Sequence, residues 1–101
     1  MKVYLSELAE NKLLQLSQYL LDEWSLKTKD KFIQKLTDKI NQISSQPDSC
    51  PKSKKLNGLY KCVVTKQTTF YYRILHQSNE IEIITIFDTR QNPDKLIKDI
   101  G

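Results

Sequence analysis

The hydrophobic period of this chain changes once, and that change constrains the fold more than any other feature. From Ser6 to about Gln46, apolar side chains recur at spacings of three and four; from Leu59 to Phe87 they alternate or run together in short stretches. The first spacing is that of amphipathic helices and the second that of strands. Helices grouped ahead of strands predict an α+β fold, with the helices packed as one layer on a mainly antiparallel sheet. The length of 101 residues fits one domain, residues 1–101, with a thin core that claims most of the apolar side chains.

Element by element, Lys2 to Leu5 reads as a short strand with Val3 and Leu5 on one face and Tyr4 on the other. Ser6 is a natural N-cap, and Glu7 and Glu10 suit the positive end of the helix that follows. Ala9, Leu13, Leu16 and Leu20 form its apolar stripe; Leu14, Tyr19, Leu21 and Trp24 widen the stripe and predict a well-buried helix. A break at Trp24-Ser25-Leu26 leads into a second helix carrying Phe32, Ile33, Leu36, Ile40 and Ile43, stopped by Gln46-Pro47-Asp48. So short a joint predicts an antiparallel helix hairpin. Strands follow at Leu59 to Val64, Thr68 to His76 and Glu80 to Phe87, joined by Thr65-Lys66-Gln67 and Gln77-Ser78-Asn79. Such short connections predict an antiparallel meander. The third of these strands is too apolar for a sheet edge and belongs inside, as a fourth member, the N-terminal strand, allows. Pro93 precedes a candidate short terminal helix from Asp94 to Ile100.

Charge is distributed unevenly. Ten lysines and three acids lie between Lys27 and Lys66, an excess of seven, whereas the rest of the chain carries six basic and nine acidic residues. A concentrated basic segment is suited to a polyanion or an acidic protein partner, although a solvated helix face and loop would give the same count. Lys52, Lys54 and Lys55 crowd into the polar connection from Asp48 to Gly58. Cys50 and Cys62 lack the spacing of a redox CxxC motif and the His partners of a zinc site, so two reduced thiols are expected and no metal. His76, the single histidine, could serve as a base, although alone on a strand a histidine is more often incidental. No apolar run is long enough to span a membrane, and Met1 to Leu5 leads straight into structured sequence. No membrane association and a cytoplasmic location are therefore expected.

Several strings, in order, resemble the RelE/ParE superfamily of type II toxins, nearer the ParE branch. Val3-Tyr4-Leu5-Ser6-Glu7-Leu8-Ala9 looks like that family's strand running into a Ser-capped helix. Gly58-Leu59-Tyr60-Lys61 is similar to the start of its sheet, Phe70-Tyr71-Tyr72-Arg73-Ile74 to its aromatic-Tyr-Arg strand, and Phe87-Asp88-Thr89-Arg90-Gln91-Asn92-Pro93 to the ParE-type ending. The resemblance implies a toxin silenced by a cognate antitoxin in a hetero-oligomeric complex, with no cofactor. It also implies one of two activities, because a fold does not choose its chemistry. ParE-type members bind and poison DNA gyrase. RelE-type members cleave mRNA on the ribosome, which demands cations around the scissile phosphate and a group that moves a proton.

The sequence departs from the second pattern. Lys61 matches the first basic position of the RelE-type strand, but Val63 stands where a second Lys is expected and Thr69 where an Arg is expected. No Tyr follows Arg90. Lys61, Arg73 and Arg90 remain as a thin cleavage set, which favours gyrase binding over catalysis. Arg73 could equally pair with Glu80 or Glu82 across the hairpin, and Arg90 with Asp88. The residues expected to meet a target or antitoxin are Lys52, Lys54, Lys55, Lys61, Arg73 and Arg90. A third possibility is a degenerate relative that binds its antitoxin without toxicity.

Overall fold

A computed structural model describes residues 1–89. It runs β1 (Lys2–Leu5), α1 (Glu7–Glu23), α2 (Leu26–Ser45), β2 (Tyr60–Val63), β3 (Thr68–Leu75) and β4 (Glu80–Asp88). The four strands form one sheet in the order β1-β4-β3-β2, with β2-β3-β4 an antiparallel meander and β1 parallel to β4. The expected α+β architecture is thus present, with β4 interior between β1 and β3. The terminal-helix expectation and Arg90 lie outside the described residues.

Both helices start where a serine satisfies their free amides. Ser6 Oγ accepts from the Ala9 amide and Ser25 Oγ from the Thr28 amide, each at 3.0 Å. Ser6 does more than cap: its hydroxyl donates to the Ile84 carbonyl at 2.7 Å and its amide donates to the Ile83 carbonyl at 2.9 Å. One residue therefore fastens the start of α1 to the middle of β4. The hairpin returns α2 to the beginning of the chain, where the N-terminal ammonium donates to Ser44 O and Ser44 Oγ donates to Met1 O.

The core lies between the hairpin and one face of the sheet. Ala9, Leu16 and Leu20 of α1 and Phe32, Leu36 and Ile43 of α2 meet Cys62, Phe70, Tyr72, Ile81, Ile83 and Ile86. Leu13, Ile33 and Ile40 pack beside them, partly buried. The expected stripes are therefore the buried ones, but the widened stripe is not. Leu14 is 69% exposed and Trp24 58%, and Leu21 and Leu26 are exposed as well. A hairpin on a four-stranded sheet can cover only one side of α1: of the widening residues Tyr19 packs against the core, whereas Leu14, Leu21 and Trp24 are exposed.

Between Tyr71 and Tyr72 the register slips by one residue, because Tyr71 opposes Thr85 whereas Tyr72 opposes Ile83. The slip leaves Ile84 as the extra residue of a bulge, and its carbonyl is the one that receives Ser6. Tyr72 reaches into the core, stacks on Tyr60 at 5.1 Å between ring centroids, and donates to the Pro47 carbonyl at 2.7 Å. At the end of the meander, Thr68 and Asp88 face each other, both buried, and the threonine hydroxyl donates to the carboxylate.

Candidate functional site

Among the described residues no helix lies over the sheet's second face. Side chains alternate along strands, so the register assigns this face row by row. Tyr4, Glu82 and Arg73 make the first row, Thr85, Tyr71 and Lys61 the second, and Phe87, Thr69 and Val63 the third.

The connection from Cys50 to Leu59 borders this face. Expected as a plain polar loop, it is instead fastened along the free edge of β2. Lys61 N donates to Pro51 O at 2.9 Å, Ser53 N donates to Leu59 O at 2.7 Å, and Lys52 forms an antiparallel bridge with Tyr60. Gly58 allows the return at φ +82°, in the left-handed region that a glycine enters without strain. Fastened this way, the segment covers the sheet edge and carries its lysines beside the open face.

The result is an open depression of about 520 Å³, walled by Pro51, Lys52, Ser53, Lys54, Lys55 and Lys61 and floored by Thr69, Tyr71, Phe87 and Thr89. All four lysines are exposed at its rim. The floor is chiefly apolar and aromatic. Tyr71 does face away from Tyr72, as alternation requires, yet it is only 5% exposed because it lies beneath this rim. Burial pushes its phenol above the ordinary tyrosine value. Four ammonium groups around one depression create a positive potential that recruits carboxylates or phosphates.

The structure therefore brings Lys52, Lys54, Lys55 and Lys61 together. Arg73 shares the open face but belongs to the neighbouring row, two residues along β3 from Tyr71. Its guanidinium is engaged by Glu82 at 2.7 Å, which is the cross-strand partner that sequence pairing allowed. Tyr4 completes that row. Its phenol is raised by partial burial and by the Glu82 and Glu80 carboxylates. Arg90 lies outside the described residues and cannot be placed in either row.

Several groups that chemistry would need lie elsewhere. His76 sits in the β3–β4 turn, five residues past Tyr71, which corresponds to roughly 16 Å along an extended strand. Val63, where the cleavage pattern asks for a lysine, is 53% exposed, and Thr69 forms part of the floor. Among the described residues no group of His, Cys, Asp or Glu is arranged to hold a metal ion, and no helix is long and apolar enough to cross a membrane. Reading the sequence for charge found the rim but missed the floor. Phe87, Thr69 and Tyr71 were detectable in principle as the alternate positions of strands whose other side chains are core.

Comparison with known proteins gives this arrangement a family. Residues 3–93 match the family described as ParE toxin of type II toxin-antitoxin system, parDE. No curated protein sequence matches the chain. Among solved structures, a chain of the chromosomal ParDE system from P. aeruginosa aligns with a TM-score of 0.72 at 12% identity, covering 87% of this chain and 95% of that one. The YoeB/ParE toxin from Agrobacterium tumefaciens aligns with 0.63 at 16% identity, covering 87% and 98%. The isolated E. coli RelE toxin aligns with 0.62 at 12% identity, covering 99% and 98%. At these identities the structural likeness is one of fold, and the family match carries the assignment. With the fold, the capped hairpin and the match over residues 3–93 in agreement, the chain belongs to the ParE toxin family within the RelE/ParE superfamily.

Proposed function

We propose that this protein is the toxin of a type II toxin–antitoxin pair, acting by binding DNA gyrase without catalysing a reaction of its own. The observation that carries the reading is the make-up of the open face. An apolar floor ringed by lysines suits the docking of an acidic, amphipathic protein segment. A phosphodiester-cleaving site would need cations converging on one point and a proton-moving group beside them. Here Val63 and Thr69 stand where such cations are expected, Arg73 is engaged by Glu82, and His76 is in the turn beyond β3. On this reading the cognate antitoxin lays an acidic segment across the lysine rim and the basic hairpin, and the protein is silent while that complex persists.

The test is pulse labelling after induction of the chain in a bacterial host, following DNA and protein synthesis separately. Early arrest of DNA synthesis with translation continuing is the expected result, to be followed by a supercoiling assay with purified gyrase. Immediate translation arrest would overturn it and favour the second reading, a ribosome-dependent endoribonuclease. That alternative keeps one observation in its favour: Lys61 and Arg73 share the open face. Site-specific breaks in translated mRNA, lost on Arg73→Ala or Arg90→Ala, would establish it. Harmless expression combined with tight antitoxin binding would instead mark a relative that has lost its toxicity.

A further inference from the structure

The hydrogen bonds that fasten the basic segment to β2 also define a register. Ser53 opposite Leu59, Lys52 opposite Tyr60 and Pro51 opposite Lys61 belong to one antiparallel ladder. Continued one step further, the same register sets Cys50 opposite Cys62. Because the 53/59 and 51/61 positions carry the ladder hydrogen bonds, 52/60 and 50/62 are the positions between them. There, directly opposed residues stand with Cα atoms about 4.5 Å apart and side chains close together on the same face. That separation falls within the range a disulfide spans, about 4.4–6.8 Å. The two thiols are free and buried, and both line the same cavity.

We propose that Cys50 and Cys62 are a peroxide-responsive thiol pair, forming a reversible intrachain disulfide that clamps the lysine-bearing segment onto β2. Filling the core as two small apolar side chains would require burial but not direct opposition across a ladder. Nor would it require access, and here both cysteines line a cavity of about 370 Å³ that opens beside Lys39, Gln42 and Lys61. That space admits a molecule as small as hydrogen peroxide.

The chemistry balances with hydrogen peroxide as the oxidant. The sulfur of Cys50 attacks one peroxide oxygen, forming an S–O bond and breaking the O–O bond. The second oxygen leaves as water with the thiol proton, and Cys50 is a sulfenic acid. The sulfur of Cys62 then attacks Cys50, forming S–S and breaking S–O, and the sulfenic oxygen leaves as water with the proton from Cys62. Two thiols have lost two electrons and two protons, and one peroxide has become two waters. Cys50 attacks first because it is the more accessible, 6% exposed against 1%. Cys62, the more deeply buried of the two, is the resolving thiol.

The bridge would close a ring around Lys52, Lys54 and Lys55, fixing one wall of the depression. The meaning of that clamp for partner binding rests on the reading of the depression given above; formation of the bond does not. The test treats the purified, folded chain with hydrogen peroxide, alkylates remaining thiols and digests with trypsin. Cleavage after Lys52 and Lys61 places the cysteines on separate peptides, so only the disulfide keeps them joined. Expected are a joined peptide pair that dithiothreitol separates, a thermal midpoint raised by about 5–10 °C, and at least tenfold slower amide exchange across residues 52–58. Unreacted thiols, sulfinic or sulfonic acid at Cys50, or bridges only between separate molecules would overturn the proposal. A bridge that leaves exchange in the segment unchanged would overturn the clamp. Cys62→Ser should halt oxidation at a Cys50 sulfenic acid trapped by dimedone. The linkage test on the native sequence stands even if that variant does not fold.

Discussion

The two faces of this sheet are built from the same strands, often from adjacent residues, yet they have opposite characters. Phe70, Tyr72, Ile81, Ile83 and Ile86 face the helix hairpin and are almost wholly buried. Their neighbours Thr69, Tyr71, Arg73, Glu82 and Phe87 face the other way, toward a lysine-rimmed depression and a surface ion pair. One face is closed by elements of the chain itself and supplies stability. The other presents apolar floor and positive charge together, a combination that stability alone does not require. The lesson is that period-two alternation assigns side chains to faces, whereas what lies over each face decides their role.

Substitutions that test this contrast should fall in a clear order. Phe70→Ala should cost about 3–5 kcal/mol in urea unfolding, because it opens a cavity in the closed face. Phe87→Ala, on the open face, should cost about 1 kcal/mol, since less area is withdrawn from water. Similar losses for the two would break the distinction. Next comes Ser6→Ala, which removes both the α1 cap and the bond to the bulged Ile84 carbonyl, at about 1–2 kcal/mol. A cost below about 0.5 kcal/mol would show that the bulge does not depend on that anchor.

Tyr72→Phe should cost about 1 kcal/mol through loss of the bond to Pro47. It should also change the response to alkali. Burial raises the Tyr72 phenol above its ordinary value of 10.0. The native state therefore keeps this proton at pH values where the unfolded chain loses it. Stability from the protonated phenol is complete below pH 10 and declines as the pH rises above it. The variant should show a shallower alkaline decline, and an unchanged slope in pH-dependent unfolding would count against this burial. Smaller still is Arg73→Ala, at under about 1 kcal/mol, because the exposed pair with Glu82 is screened by solvent. Replacing Lys52, Lys54 and Lys55 together by Gln should change stability by about 0.5 kcal/mol or less. The same change should weaken antitoxin binding and flatten its salt dependence, measured by titration calorimetry at two ionic strengths. Unaltered binding would remove the depression from the interface.

Much of this contrast could be read in the sequence. The change of period placed two helices before a meander, and the serines at 6 and 25 marked the helix starts because an N-cap is a local, side chain-to-backbone event. Arg73 beside Glu82 was foreseeable for the same reason, since a short hairpin fixes its own register. The outward face of α1 was not. Leu14, Leu21 and Trp24 extend the stripe by spacing alone, and only the width of the layer beneath the hairpin leaves them in solvent. Tyr71 posed the converse problem: alternation turned it away from the core, but a segment distant in sequence keeps water off it.

The sequence by itself determined the order and type of the elements, the capped ends, the core stripes and the surplus of lysines, because each depends on neighbours within a few positions. Only the tertiary structure decided that Ser6 reaches the Ile84 carbonyl, that the 51–53 segment zips onto β2, and that Cys50 and Cys62 line one cavity. It alone gathered four lysines over one aromatic floor. Those are contacts between residues far apart along the chain, and their geometry is fixed only when the sheet and the hairpin have packed together.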